Sequence, residues 1–219
     1  NFKVKNNLKA IVTAGPTKEY IDPVRYISNR SSGKQGYEIA KSLLKKGFDT
    51  TLISGPTNLK INDNINLIKV ETAEEMFQAT LNSLPVDVAI FSAAVGDYKV
   101  KETSKVKIKK QDRLNIELEK NIDILNYVSN HNSLRPKLVV GFAAETNNLE
   151  NYAIKKLNEK NCDWIVANDV SNKKIGFDSD FNEVSIFYKD KNISNEKLLM
   201  KKKSEISEEI IDRVINHLN

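Results

Sequence analysis

The sequence is short of the side chains that most often carry nucleophilic or metal-centred chemistry. It has one cysteine, Cys162, and two histidines, His131 and His217, in 219 residues. A lone cysteine excludes an internal disulfide, and its setting, Cys162-Asp163-Trp164-Ile165-Val166, favours buried packing over a reactive thiol. The histidines lie far apart in polar stretches, which argues against a His-rich metal cage or a Ser-His-Asp triad. No apolar run reaches the roughly 18 residues that a membrane span needs. Asn1 to Leu8 is polar and basic with no apolar centre, so it reads as a linker-like segment and not as a signal peptide. Two nucleotide motifs are also missing. There is no Gly-x-x-x-x-Gly-Lys-Ser/Thr, which excludes a P-loop, and no Gly-x-Gly-x-x-Gly after the first strand. The second strand ends in Ser54 where a dinucleotide site wants an acid, which argues further against an NAD(P) oxidoreductase. The chemistry left open must use Asn, Lys, Asp and backbone amides.

What is present is an ordinary soluble composition, 40% hydrophobic and 29% charged, with a net charge of +5. The lysines are spread along the whole chain beside Asn and Ile. No basic stripe interleaved with aromatics marks a nucleic-acid surface, whereas a small anionic ligand suits the same charge.

The apolar pattern alternates strand and helix. Short apolar runs at Lys9–Ala14, Thr50–Ser54, Asn66–Val70, Val86–Ser92, Lys137–Phe142 and Trp164–Ala167 predict strands. Between them, Gly33–Lys46, closed by Gly47, predicts a helix, and Thr72-Ala-Glu-Glu75 forms a capping box before another. Ile122–Asn130 and Leu149–Lys160 read as helices, and Ser204 is expected to cap a last one to Leu218. Lys105–Lys109 with Leu114–Glu119, and Val184–Tyr188 with a partner near Ile193, are expected to form hairpins. Thr17 to Ser32 has almost no helical period. The fold class that follows is α/β: a Rossmann-like, doubly wound, mostly parallel sheet with helices on both faces and an added hairpin. No linker divides residues 9–217, so one domain is expected.

In such a sheet ligands bind beyond the carboxyl ends of the strands. The segment there, Ser92-Ala-Ala-Val-Gly-Asp97, is small, which serves either close backbone approach to a ligand or tight packing under a helix. Ser28-Asn-Arg-Ser-Ser-Gly33 runs into a helix N-terminus, as an anion site does and as an ordinary capped turn also does. Lys105, Lys107, Lys109 and Lys110 suit a triphosphate, and Lys156 and Lys160 share one helix face. Each group also reads as a solvated surface of a Lys-rich protein. From the residues alone the reading stops at a doubly wound α/β domain that binds an anionic ligand.

Six segments in order carry a resemblance that goes further. Ala14-Gly-Pro-Thr17 with Asp22-Pro-Val-Arg-Tyr-Ile-Ser-Asn-Arg-Ser-Ser-Gly33 is the first. Ser92-Ala-Ala-Val-Gly-Asp-Tyr98, Lys107-Ile-Lys-Lys110, Gly141-Phe-Ala-Ala-Glu-Thr-Asn-Asn148, Ala167-Asn-Asp-Val-Ser171 and Gly176-Phe-Asp-Ser-Asp180 complete the set. Together they resemble phosphopantothenate–cysteine ligase of coenzyme A biosynthesis, in its bacterial, CTP-using branch, from about Lys9 to His217. The resemblance implies a cytoplasmic enzyme that uses CTP and Mg²⁺ or Mn²⁺, with no flavin in this domain. It implies that CTP activates 4′-phosphopantothenate as an acyl-cytidylate and that cysteine then displaces CMP. Asn29 matches the family's catalytic Asn, and Lys107 the lysine that offsets phosphate charge in the first step. Phe91, Ser92 and Ala93 match the stretch that reads the cytosine, and Asp97 a nucleotide-binding Asp. Ile122, Asp123, Ile124 and Leu125 match a nucleotide loop, with Phe142, Lys156 and Lys160 as the remaining nucleotide contacts. Two positions depart from the pattern: Ile122 where relatives often have Pro, and Gly96 where they often have Ala. The family also implies a homodimer, with Asp22, Arg25 and Tyr26 supporting the interface, and fusion to a flavin-dependent decarboxylase, which a chain starting at Asn1 without Met fits. The competing readings are an NAD(P) oxidoreductase and a non-catalytic nucleotide-binding module.

Overall fold

A computed structural model describes residues 8–61, 64–169 and 179–219. The linker-like segment therefore lies almost wholly outside the described residues, as do parts of the two motifs around Ser171 and Gly176.

The chain opens with strand β1 (Lys9–Ala14), two short strands β2 (Lys18–Tyr20) and β3 (Tyr26–Ser28), and helix α1 (Lys34–Lys45). β4 (Asp49–Ser54), β5 (Asn66–Lys69), α2 (Ala73–Asn82) and β6 (Val88–Phe91) follow. Then come β7 (Tyr98–Val100), β8 (Leu118–Lys120), α3 (Ile124–Ser129), β9 (Leu138–Glu145) and α4 (Leu149–Lys160). β10 (Trp164–Asp169), β11 (Phe181–Tyr188), β12 (Glu196–Lys202) and α5 (Lys203–Leu218) complete the order. Among the described residues, eight strands form one sheet in the order β12-β11-β10-β9-β6-β1-β4-β5. From β5 to β10 every pairing is parallel, and β11 and β12 add an antiparallel hairpin at one edge.

The strand sequences explain the two-sided burial. Alternate residues of a strand point to opposite faces. Ala10, Val12 and Ala14, with Val88 and Ile90, Leu138 and Val140, and Trp164 and Val166, join one core with Tyr37, Ile39 and Leu43 of α1 and Ile206, Ile210 and Val214 of α5. The residues between them, Ile11, Ala89, Phe91, Val139 and Ile165, join a second core with Met76 and Phe77 of α2, Leu125 and Val128 of α3, and Leu157 of α4. The central strands read as continuous apolar runs because both faces are covered. The Thr72–Glu75 capping box forms as expected, with both reciprocal bonds present.

Three local expectations are corrected. Lys105–Lys109 is not a strand. Leu118–Lys120 pairs instead with Tyr98–Val100, because the Lys alternation at 105–109 marks solvent and not a pleated face. The partner of β11 begins at Glu196, not near Ile193, and α5 starts one residue before Ser204, with Lys202 at its N-cap. Thr17 to Ser32, in keeping with its lack of a helical period, holds the antiparallel β2–β3 hairpin.

Candidate active site

The winding of the sheet reverses at β1. The chain steps outward through β4 and β5, then returns to place β6 on the other side of β1. The carboxyl tips of β1, β6 and β9 open into one cleft of about 890 Å³, where an open α/β sheet is expected to hold its ligand.

Small residues let the walls approach. A Cβ built on Gly36 would lie 2.5 Å from both the Ala14 Cβ and the Ser92 Oγ, so the first turn of α1 rests directly on the strand tips. Gly33, at the N-cap of α1, has φ 76°, a left-handed conformation that costs glycine little. Its neighbours Asn29 to Gly36 line the cleft beside the N-terminus of that helix. The Ser92 hydroxyl donates to the Thr13 carbonyl at 2.7 Å and fixes the start of the next wall.

That wall is the 92–97 segment. The Ala94 N–H donates to the Gly15 carbonyl at 2.9 Å, and the Gly96 N–H to the Thr17 hydroxyl at 2.9 Å. The Asn29 side-chain amide donates to the Val95 carbonyl at 2.9 Å. Asn121 closes the loop: its side chain donates to the Gly96 carbonyl at 3.0 Å and its backbone N–H to the Asp97 carbonyl at 2.8 Å.

The opposite wall carries two lysines and two carboxylates, Lys156, Lys160, Asp123 and Glu145. Lys156 donates through Nζ to the Phe142 carbonyl at 2.8 Å, and burial pushes its pKa below the usual lysine value. Lys160 pairs with Asp123 at 2.5 Å, and the Asp123 carboxylate also caps α3 by accepting the Asn126 N–H at 2.9 Å. Leu125 lies over Gly141, where a Cβ would come within 2.6 Å of its methyl group. That close approach sets α3 against β9.

The structure thus gathers Asn29, the residues from Phe91 to Ala93, Asp97, the run from Ile122 to Leu125, Phe142, Lys156 and Lys160 around one cavity. Lys107 stands apart. It is exposed on the segment between β7 and β8 and does not line the cleft. The next residue holds that segment in place: the Ile108 N–H donates to Asp22 at 3.1 Å and the Ile108 carbonyl accepts from Arg25 at 3.2 Å. Glu145, Asn121, Gln35, Asn182 and Lys203 also line the cleft and were not anticipated. Asn121 adjoins a segment the sequence does single out, whereas Asn182 on β11 and Lys203 at the start of α5 carry no pattern. Cys162 is buried and its thiol is pushed up to about 11 by burial, in keeping with packing. His131 packs edge-to-face against Tyr127 and His217 against Trp164, and neither lines the cleft.

A reversed parallel sheet with small-residue loops, a helix N-terminus and two lysines around one cleft defines an α/β protein with a ligand-sized cavity at its strand tips. Comparison with known proteins narrows this. The chain belongs to the family described as DNA/pantothenate metabolism flavoprotein C-terminal domain, which it matches over residues 5–218. It is 45% identical to the coenzyme A biosynthesis bifunctional protein CoaBC of Haemophilus influenzae, over 98% of this chain and 54% of that protein. Against the protein of the same name from Bacillus subtilis it is 41% identical, over 93% of this chain and 50% of that one. The chain spans about half the length of the curated relatives it matches. Among solved structures it is similar to the C-terminal domain of CoaBC, with 38% identity, TM-score 0.80 and 98% of both chains covered. It is also similar to a Streptococcus pneumoniae protein described as DNA/pantothenate metabolism flavoprotein, with 25% identity, TM-score 0.78 and coverage of 94% and 98%.

Proposed function

We propose that this chain is a phosphopantothenate–cysteine ligase domain, spanning residues 1–219. The carboxylate of 4′-phosphopantothenate attacks the α-phosphate of CTP and expels pyrophosphate, giving an acyl-cytidylate. The amino group of cysteine then attacks the acyl carbon and CMP leaves. What supports the reading above all is that Asn29, the 91–97 segment, Lys156 and Lys160 line one cleft at the strand tips. A carboxylate is a poor acyl donor, and the mixed anhydride supplies the leaving group. The protein's share is positioning and charge compensation, which amides and ammonium groups provide without a histidine base. An NAD(P) oxidoreductase is disfavoured, because the loop after β1 lacks the glycine fingerprint.

In this reading the 91–93 backbone faces the cytosine, and Lys156 and Lys160 face the phosphates. The cleft carries three separate carboxylates, Asp97, Asp123 and Glu145, and the described residues hold no group of three metal-ligating side chains. That donor set fits Mg²⁺ or Mn²⁺, which is usually held by one or two carboxylates plus substrate phosphates. With Asp123 committed to Lys160, Asp97 and Glu145 are the groups that would hold it. The metal would neutralise triphosphate charge.

We assign Lys107 to an assembled homodimer. Val24 (57% exposed), Tyr26 (47%) and Val106 (71%) present apolar surface around the β2–β3 hairpin and beside Lys107, as a subunit interface would. No described helix is long and apolar enough to cross a membrane, and the reading is of a cytoplasmic enzyme. Its partner activity is a flavin-dependent decarboxylase that consumes its product, carried on the same polypeptide as in bifunctional relatives.

The deciding experiment mixes the protein with CTP, Mg²⁺, 4′-phosphopantothenate and cysteine and follows pyrophosphate and CMP. Release of both, dependent on phosphopantothenate, is expected. CTP binding without turnover would instead identify a non-catalytic module. Substituting ATP tests the choice of nucleotide.

A further inference from the structure

We infer that Thr17 is a positioning residue for acyl transfer, orienting Asn29 through the single peptide group between Val95 and Gly96. The inference rests on the ligase reading above.

That peptide group is held from both sides. Its carbonyl, on Val95, accepts the Asn29 side-chain amide at 2.9 Å. Its N–H, on Gly96, donates to the Thr17 hydroxyl at 2.9 Å. A peptide unit is planar and turns as a plate, so an acceptor that fixes the N–H also fixes where the carbonyl points. Thr17 is fully buried at 0% exposure, so its hydroxyl and not bulk solvent satisfies the Gly96 N–H. The Thr17 backbone acts on the same residue by another route: its carbonyl accepts the Ser28 hydroxyl at 2.7 Å, immediately before Asn29. Thr17 therefore touches the backbone leading to Asn29 and, through one peptide plate, the side chain itself.

The chemistry gives this arrangement a use. An Asn side chain has two N–H donors. With one committed to Val95, the plane of the amide is set and the other remains on a residue that lines the cleft. A donor at a fixed angle is what a carbonyl gaining negative charge requires during attack by an amine. Removing the Thr17 hydroxyl leaves the Gly96 N–H without its acceptor, so the plate keeps one of its two direct holds and the carbonyl that orients the Asn29 amide is less fixed.

The test is a rapid-quench comparison of the two partial reactions in the intact protein. Pyrophosphate release without cysteine reports the first step, and transfer to added cysteine reports the second. The variants are Thr17→Val, which keeps the shape, Thr17→Ser, which keeps the hydroxyl, Asn29→Ala, and Thr17→Val with Asn29→Ala. Thr17→Val is expected to slow transfer about tenfold more than pyrophosphate release. Thr17→Ser should restore the wild-type ratio, and Thr17→Val should slow transfer no further when Asn29 is already Ala. A Thr17→Val protein that loses both steps equally, or that loses transfer additively with Asn29→Ala, would overturn the inference. Wild-type protein that releases no pyrophosphate from CTP would instead remove the ligase reading, and this inference with it.

Discussion

Lys160 and Asp123 meet at 2.5 Å, joining the last turn of α4 to the N-cap of α3 at the rim of the cleft. The same carboxylate thus caps one helix and holds the end of another. Asp123→Ala removes both jobs, whereas Asp123→Asn keeps the capping acceptor. We expect Asp123→Ala to cost about 1 kcal/mol of stability, the usual worth of such a cap. Asp123→Asn should cost less, because a partly exposed ion pair contributes roughly 0–1 kcal/mol. Urea titrations of the two variants separate the effects, and equal losses would show that the cap contributes nothing.

Asn29→Asp places a carboxylate beside the Val95 carbonyl, where the native amide donates a hydrogen bond. Cysteine transfer should fall by about tenfold or more while cytidylate formation changes less. Equal loss in both steps, read by pyrophosphate release and product formation, would count against the role given to Asn29.

Lys156 donates to the Phe142 carbonyl with Asp123, Glu145 and Lys160 nearby, and burial outweighs these neighbours in disfavouring its charged form. Because its folded pKa lies below the unfolded value, the folded protein binds that proton less tightly. Its charge therefore costs stability at neutral pH. The cost disappears as pH rises through the folded pKa towards about 10.4, the unfolded lysine value. Lys156→Met is expected to melt at or above the wild-type temperature at pH 7 and to bind CTP about tenfold more weakly. A lowered melting temperature with unchanged CTP affinity, seen by calorimetry, would contradict this.

Gly36 has no room for a methyl group between Ala14 and Ser92. Gly36→Ala should lower stability by about 1–3 kcal/mol, the usual penalty for overpacking. It should also weaken nucleotide binding, since the shift falls on the cleft floor. Gly47→Ala is a useful contrast. A Cβ there meets nothing within 4 Å, and any loss comes from its φ of 97° alone.

Asp22 is buried and accepts the backbone N–H groups of Val24 and Arg25, each at 2.9 Å, and of Ile108. The Arg25 guanidinium, helped by these amides, holds its carboxyl well below the usual carboxylate range. A lowered acid pKa stabilises the fold above the unfolded value of about 4, and that stabilisation fades as pH falls further. The stability gap between wild type and Asp22→Asn should therefore be widest at pH 6–7 (a range set by that reference of about 4) and close on acidification. Faster hydrogen exchange at the Ile108 amide in the variant would accompany it. A gap that stays constant with pH would exclude the carboxylate as its source.

The sequence made the parallel half of the sheet readable because β1, β4, β6 and β9 are apolar on both faces, and an apolar run needs no partner to be recognised. The hairpins were harder. β2 and β3 are three residues each, with one residue buried in the first and none in the second, so no period accumulates. The Lys alternation at 105–109 imitates a strand because solvent exposure and pleating both produce period two. At the cleft, the small 92–97 segment was legible as a segment, but the purpose of its smallness was not. Asn182 and Lys203 reach the cavity from the start of β11 and the first turn of α5, and neither position carries a local pattern that marks it as facing a cleft.

α5 lies beside α1 on one face of the sheet, tied by Lys45 to Glu208 at 2.6 Å across 163 positions of sequence and by Gln35 to Ser207 at 2.8 Å. While the chain is being synthesised, the apolar stripe of α1 and the near ends of β1 and β4 wait for a cover not yet made. At about 5–20 residues per second that interval is roughly ten to thirty seconds. Ribosome-bound chains stopped before residue 203 should therefore expose a sticky face, and chaperones that hold nascent chains will find their substrate there.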